Sequence, residues 1–149
     1  MTSAVPPYNA SEIRAALLTV AGRDKYRQFL VALNGPCQAK GRLYFWQELL
    51  WWKAQERLGI RVYDFKEVSA LFRICHVHDV ELQQDRVPVV YGTYQVTGSY
   101  IEAMEASFPY ANDVFHGPCW EEREKARQVL FCSLCRTAKK RWESLTASR

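Results

Sequence analysis

Apolar side chains recur at helical spacing through the first half of the chain and lose that rhythm beyond Cys75. Asn9 and Glu12 form a capping-box pattern ahead of Ile13, Ala16, Leu17 and Val20, which predicts a helix over residues 10 to 21. After Gly22, the residues Tyr26, Phe29, Leu30 and Leu33 trace a second apolar face, stopped by Asn34-Gly35-Pro36. Leu43, Trp46, Leu50, Ala54 and Leu58 mark a third helix, widened by Phe45, Leu49 and Trp52 and closed by Gly59. Its tryptophans could form a stacking platform or a partner groove, but aromatics at this spacing are read first as core. Residues 60 to 63 suggest a short strand. Asp64 and Glu67 repeat the capping pattern before a short helix bearing Val68, Leu71 and Phe72.

Beyond Cys75 the pattern turns β-branched and aromatic. Val87-Pro88-Val89-Val90-Tyr91-Gly92-Thr93-Tyr94-Gln95-Val96 reads as a hairpin around Gly92, with Pro88 on an edge or at a strand start. Ser99 and Glu102 cap a helix carrying Ile101, Met104 and Phe108, which must end before Pro109. A loop follows to about Trp120, and the charged run over residues 121 to 127 reads as a solvated helix or a loop. Leu134, Ala138, Trp142 and Leu145 define a final helix. The sum is an α+β fold in one domain. A helical N-terminal part, residues 1 to 73, is expected to pack on a zinc-stabilised part, residues 74 to 149, made of a β-hairpin, an inserted helix and the C-terminal helix.

Composition narrows the class. The chain has 149 residues, 48% hydrophobic and 24% charged, which excludes a disordered or fibrous protein. The first residues lack the basic start and apolar run of a secretory signal, and no apolar stretch approaches the length of a membrane span, so a cytoplasmic protein with no membrane association is expected. A net charge of +4 is too small to argue for nucleic-acid binding by itself. The one basic cluster, Arg136, Lys139, Lys140 and Arg141, is either a solvated face near a helix end or a weak candidate for contact with nucleic acid or another partner.

Candidate chemistry lies in the cysteines. In a reducing compartment, paired Cys serve as metal ligands more often than as disulfides. Cys75-His76-Val77-His78 supplies a C-x2-H half-site and Cys132-Ser133-Leu134-Cys135 a C-x2-C half-site directly before the final helix. Three sulfurs and one nitrogen make a common structural set for Zn2+, whereas iron-sulfur clusters favour four Cys. His76 could replace His78, although its adjacency to Cys75 would strain a tight turn. A third x2 pair, His116 and Cys119, lacks a partner pair unless His76 or Cys37 joins it; Cys37 itself reads as a turn residue.

The knuckle with Cys75 and His78, the hairpin, and a terminal helix opened by Cys132 and Cys135 together resemble a treble-clef zinc finger. The resemblance covers about half of the chain, with a long insertion at residues 98 to 128, and it implies zinc at these four positions. The segments around Cys75 to Leu82, Val87 to Gly92 and Cys132 to Arg136 are also similar to uncharacterised bacterial proteins with a CxxH and a CxxCR pair, which implies zinc binding and no particular activity. A filled four-ligand set argues for a structural ion, and the H-E-x-x-H, deaminase, phosphate-loop and nucleophile-elbow templates all fail. The chain is therefore expected to be a binding or adaptor module for protein or nucleic acid rather than an enzyme. The alternative is a zinc-dependent hydrolase, such as a nuclease using His76, His116 and Glu81. Any specific function is expected in the insertion, where Phe108, Tyr110, Phe115 and Trp120 have no evident structural task.

Overall fold

The computed structural model describes residues 8–34, 41–92, 96–117 and 123–147. It is an α+β structure that divides into two compact units, Met1–His76 and Val77–Arg149.

The first unit is helical: α1 (Ala10–Ala21), α2 (Arg23–Asn34), α3 (Phe45–Leu58) and α4 (Phe65–Leu71). Helices α1, α3 and α4 begin or end where local chemistry provides for it. Asn9 Oδ1 accepts the Glu12 amide at 2.8 Å at the start of α1, and Asp64 accepts the Lys66 amide at 3.0 Å at the start of α4. Gly59 closes α3 in the left-handed region, at φ 68°, where a side chain would be strained. Helix α1 packs on α2, α3 and α4, and the apolar faces meet around Ile13, Leu17, Phe29, Leu30, Trp51 and Phe72. Phe72 is the centre of this core, with Phe29 at 5.1 Å and Trp51 at 5.5 Å, both edge-on.

Residues 60 to 63, expected as a strand, pair with no neighbour in a ladder among the described residues. At Val62 side chains of α3 serve the backbone instead: its amide donates to Gln55 Oε1 at 2.6 Å, and Trp51 Nε1 donates to its carbonyl at 2.9 Å. One buried glutamine and an indole thus do at Val62 what a partner strand would otherwise do; a second buried glutamine, Gln47, bridges α2 and the start of α3 by donating to the Phe29 carbonyl and accepting the Tyr44 amide.

The second unit holds β1 (Gln83–Val90), α5 (Gly98–Ser107), β2 (Phe115–His116), β3 (Ala126–Phe131) and α6 (Ser133–Ala147). The sheet order is β2-β1-β3, with β1 antiparallel to β3 and parallel to β2. This corrects the expected hairpin over residues 87 to 96. Its first strand exists and starts earlier, at Gln83, but pairs from Gln83 opposite Phe131 to Pro88 opposite Ala126. Of its second strand, residues 93 to 95 lie outside the described residues, and Val96 is in no strand. The run read as a solvated helix or loop ends in strand β3. Pro88, which has no amide to donate, sits at the last register position of the β1–β3 ladder.

Helix α5 is capped by Thr97, whose Oγ1 accepts the Tyr100 amide at 3.1 Å, rather than by Ser99. Phe108, fully buried, lies 5.8 Å from Tyr100 and 6.0 Å from Trp142, and Tyr100 lies 5.5 Å from Trp142. These rings fasten α5 to α6. Phe108 and Tyr110 of the insertion are therefore core residues, and Phe115 carries the Arg127 guanidinium over its ring at 4.1 Å. Trp120 lies outside the described residues. The insertion thus has the structural task that its sequence did not reveal.

Candidate metal centre

The two x2 pairs reach one place by different local means. Cys75 follows Ile74, whose amide donates to the Phe72 carbonyl at 2.8 Å, and leads into a turn over residues 76 to 78. His78 comes out of that turn just before Asp79, which adopts φ 55°. An aspartate tolerates this left-handed conformation better than most residues, so the tight reversal is accommodated without glycine. The chain crosses from the first unit to the second inside this turn.

Cys132 lies between β3 and α6, and its amide donates to the Tyr110 carbonyl at 2.9 Å. Its sulfur accepts the Cys135 amide at 3.4 Å, the position at which a capping side chain serves the first turn of a helix. Cys135, one turn on, faces the same way.

The donor atoms of Cys75, His78, Cys132 and Cys135 all lie within 4.8 Å of one another. The three Cys are fully buried and His78 is half-buried. His78 Nδ1 is 3.6 Å from Cys132 Sγ and 3.3 Å from Cys135 Sγ. Bonds of about 2.3 Å to sulfur and about 2.0 Å to nitrogen at a tetrahedral angle would put such ligands about 3.5 Å apart. The cluster is geometrically suited to hold a metal ion. No other group of three or more His, Cys, Asp or Glu suited to a metal occurs among the described residues.

The remaining candidates lie elsewhere. His76 is not part of the converging set; burial pushes its imidazole below the ordinary 6.5, with the Cys75 sulfur opposing and Arg27 adding to the effect. His116 is on β2, Glu81 is exposed, and neither joins the cluster. Cys37 and Cys119 lie outside the described residues.

The basic cluster splits in two. Arg136 donates through Nη1 to Asp85 Oδ2 at 2.8 Å, through Nε to the Ala111 carbonyl at 2.8 Å and through Nη2 to the Asn112 carbonyl at 3.0 Å, with its plane 3.7 Å above the Phe131 ring. Lys139 meets Asp113 at 2.6 Å and Glu143 at 3.8 Å. Lys140 and Arg141 are exposed. The hydrogen bond from Arg136 lowers the Asp85 carboxyl below its usual value. Burial works against ionisation at Asp113, but the Lys139 hydrogen bond and charge outweigh it and lower that carboxyl too.

Sequence reading missed Asp85, Asn112 and Asp113, which these cations use. Lys139 carried a local signal: it lies four residues after Cys135 and three before Trp142, on the same side of α6. No family model, curated protein or solved structure matches the chain.

Proposed function

We propose that Cys75, His78, Cys132 and Cys135 bind one Zn2+ and that the protein is a zinc-stabilised binding module, not an enzyme. The observation that carries this reading is the convergence of three buried sulfurs and one imidazole nitrogen at spacings that match tetrahedral zinc. Four protein ligands fill the tetrahedron and leave no position for a water nucleophile, which is why a structural role is favoured over a hydrolytic one. The treble-clef reading gains support from the chain order: the Cys75–His78 turn, an antiparallel β1–β3 pair, then α6 opening on Cys132 and Cys135. On this view the insertion sits within the hairpin, between its two strands, instead of after it.

A protein partner fits the surface better than nucleic acid, because Arg136 and Lys139 are committed to carboxylates and carbonyls of the fold, while Phe45 is 73% exposed and Leu49 46% exposed on one face of α3. The nucleic-acid version rests on exposed Lys140 and Arg141. The two are separated by measuring binding to DNA and RNA over a salt series. Steeply salt-dependent binding lost in Lys140→Ala/Arg141→Ala identifies nucleic acid, and its absence leaves the protein version. The zinc reading is tested by following unfolding before and after chelation: removing the ion should abolish cooperative melting of the second unit, and an unchanged melt overturns it.

A further inference from the structure

The first unit contains a cleft of about 570 Å³ that the metal centre does not use. It lies within the size range of small-ligand sites. Trp51, Trp52, Tyr63 and Phe65 wall it. Trp52 is 53% exposed and Tyr63 is 74% exposed, so two large aromatic rings stand open where most small domains bury them.

The floor and backbone of the cleft are held in place by the fold. Trp51 is packed edge-on against Phe72 and fixed by its hydrogen bond to the Val62 carbonyl, and the Val62 amide is tied to Gln55. Tyr63 follows directly, and Asp64 is anchored as the cap of α4. Both residues therefore extend from a backbone fastened on either side, which lowers the entropic cost of binding.

Charge then selects the ligand. The lining carries the carboxylates of Glu48 and Asp64 against one guanidinium, that of Arg42, on a chain whose net charge is +4. Aromatic faces carry negative quadrupole density and attract a cation whose charge is spread over methyl groups. A methylated ammonium sheds less hydration against ring faces than a bare ammonium or a metal ion, and an anion would meet the two carboxylates. We infer that the cleft between α3 and the start of α4 is a binding site for a methylated ammonium group, the chemistry shared by choline and by trimethylated lysine. Trp52 and Tyr63 supply the ring faces, and Glu48 and Asp64 supply the countercharge.

The inference is independent of the zinc reading and is tested on the whole 149-residue chain as purified. Choline and free trimethyl-lysine are titrated while the tryptophan indole signals are followed by NMR, beside 3,3-dimethylbutanol, the neutral analogue of choline with the same shape. Saturable binding of either cation is expected, at least fivefold tighter than the alcohol, as a cation–ring attraction of this kind provides. The tighter of the two cations identifies the source of the group. Trp52→Ala and Tyr63→Ala, both at exposed positions, should each weaken binding at least fivefold without loss of fold, and Glu48→Gln should weaken it less. No saturable binding up to about 20 mM, a weakness beyond any useful affinity, overturns the inference. So does equal binding of the neutral analogue, or binding that both ring substitutions leave unchanged.

Discussion

Arg136 is the residue whose role changed most between sequence and structure. As part of a basic run it reads as a surface cation, yet its guanidinium ties β1, the loop at Ala111 and Asn112, and the Phe131 ring into one unit beside the cysteine pair. Lysine cannot reproduce three directed bonds and a stacked plane. Arg136→Lys is expected to lower unfolding free energy by about 2 kcal/mol, and Arg136→Ala by more, in urea titrations of the metal-loaded protein. Gly117 is a second case. A β-carbon there would sit 2.7 Å from Tyr91 Cε1, on a ring whose hydroxyl donates to the Glu124 carbonyl. Gly117→Ala should cost about 1–3 kcal/mol by the same measurement, and Tyr91→Ala should relieve the clash in the double variant. The charged contacts also predict acid sensitivity. Asp85 and Asp113 are held below the ordinary 3.8, so their contribution to stability is complete above that value and is lost as pH falls through their lower folded values. The stability difference between wild type and Asp85→Asn/Asp113→Asn should therefore shrink from about pH 5 to about pH 3. The metal-ligand candidates were legible because x2 spacing is a local signal. The groups that brace them were not, since Asp85 and Arg136 meet across 51 positions of sequence.

At the scale of elements, the helices of the first unit were legible nearly to the residue, because cap, apolar stripe and stop all lie within a few positions of one another. Gly59→Ala, at the left-handed end of α3, is expected to cost about 1 kcal/mol, readable as a lower melting temperature of the first unit. The strands were less legible for a physical reason. Strand β3 contains Arg127 and Gln128, and its exposed face pairs Gln128 with Gln84 at 2.7 Å, so the segment looks polar without its partner. Its register is set by β1, about 40 residues earlier, and no turn signal joins the two. Helix α6 was found but with its face turned: Leu134 is 46% exposed and Leu145 is 65% exposed, while Cys135 is fully buried and Lys139 and Trp142 lie partly covered along its side. The cysteine that joins the cluster fixes the phase of the helix, and a hydrophobicity count cannot weigh that.

For the whole molecule, the two units differ in what can hold them together. The first has a contiguous apolar core built on Phe29, Trp51 and Phe72. Among the described residues the second buries fewer large side chains in its small sheet and two helices, and the Cys/His cluster lies where β3 meets α6. Bound zinc would add folding free energy on the order of 10 kcal/mol, comparable to the whole stability of a small domain. Loss of the ion is therefore expected to unfold the second unit while helical signal from the first persists, a difference that far-UV circular dichroism and hydrogen exchange resolve together. Acid should release the ion as well, since the ligands bind metal only when deprotonated. The metal content of the purified protein, measured by elemental analysis for wild type and Cys132→Ser, decides whether the cluster holds zinc. About one zinc per chain is expected in the wild type, with most of it lost in the variant. A wild-type protein that folds cooperatively with no bound metal, and whose melting the serine leaves unchanged, would contradict the zinc reading.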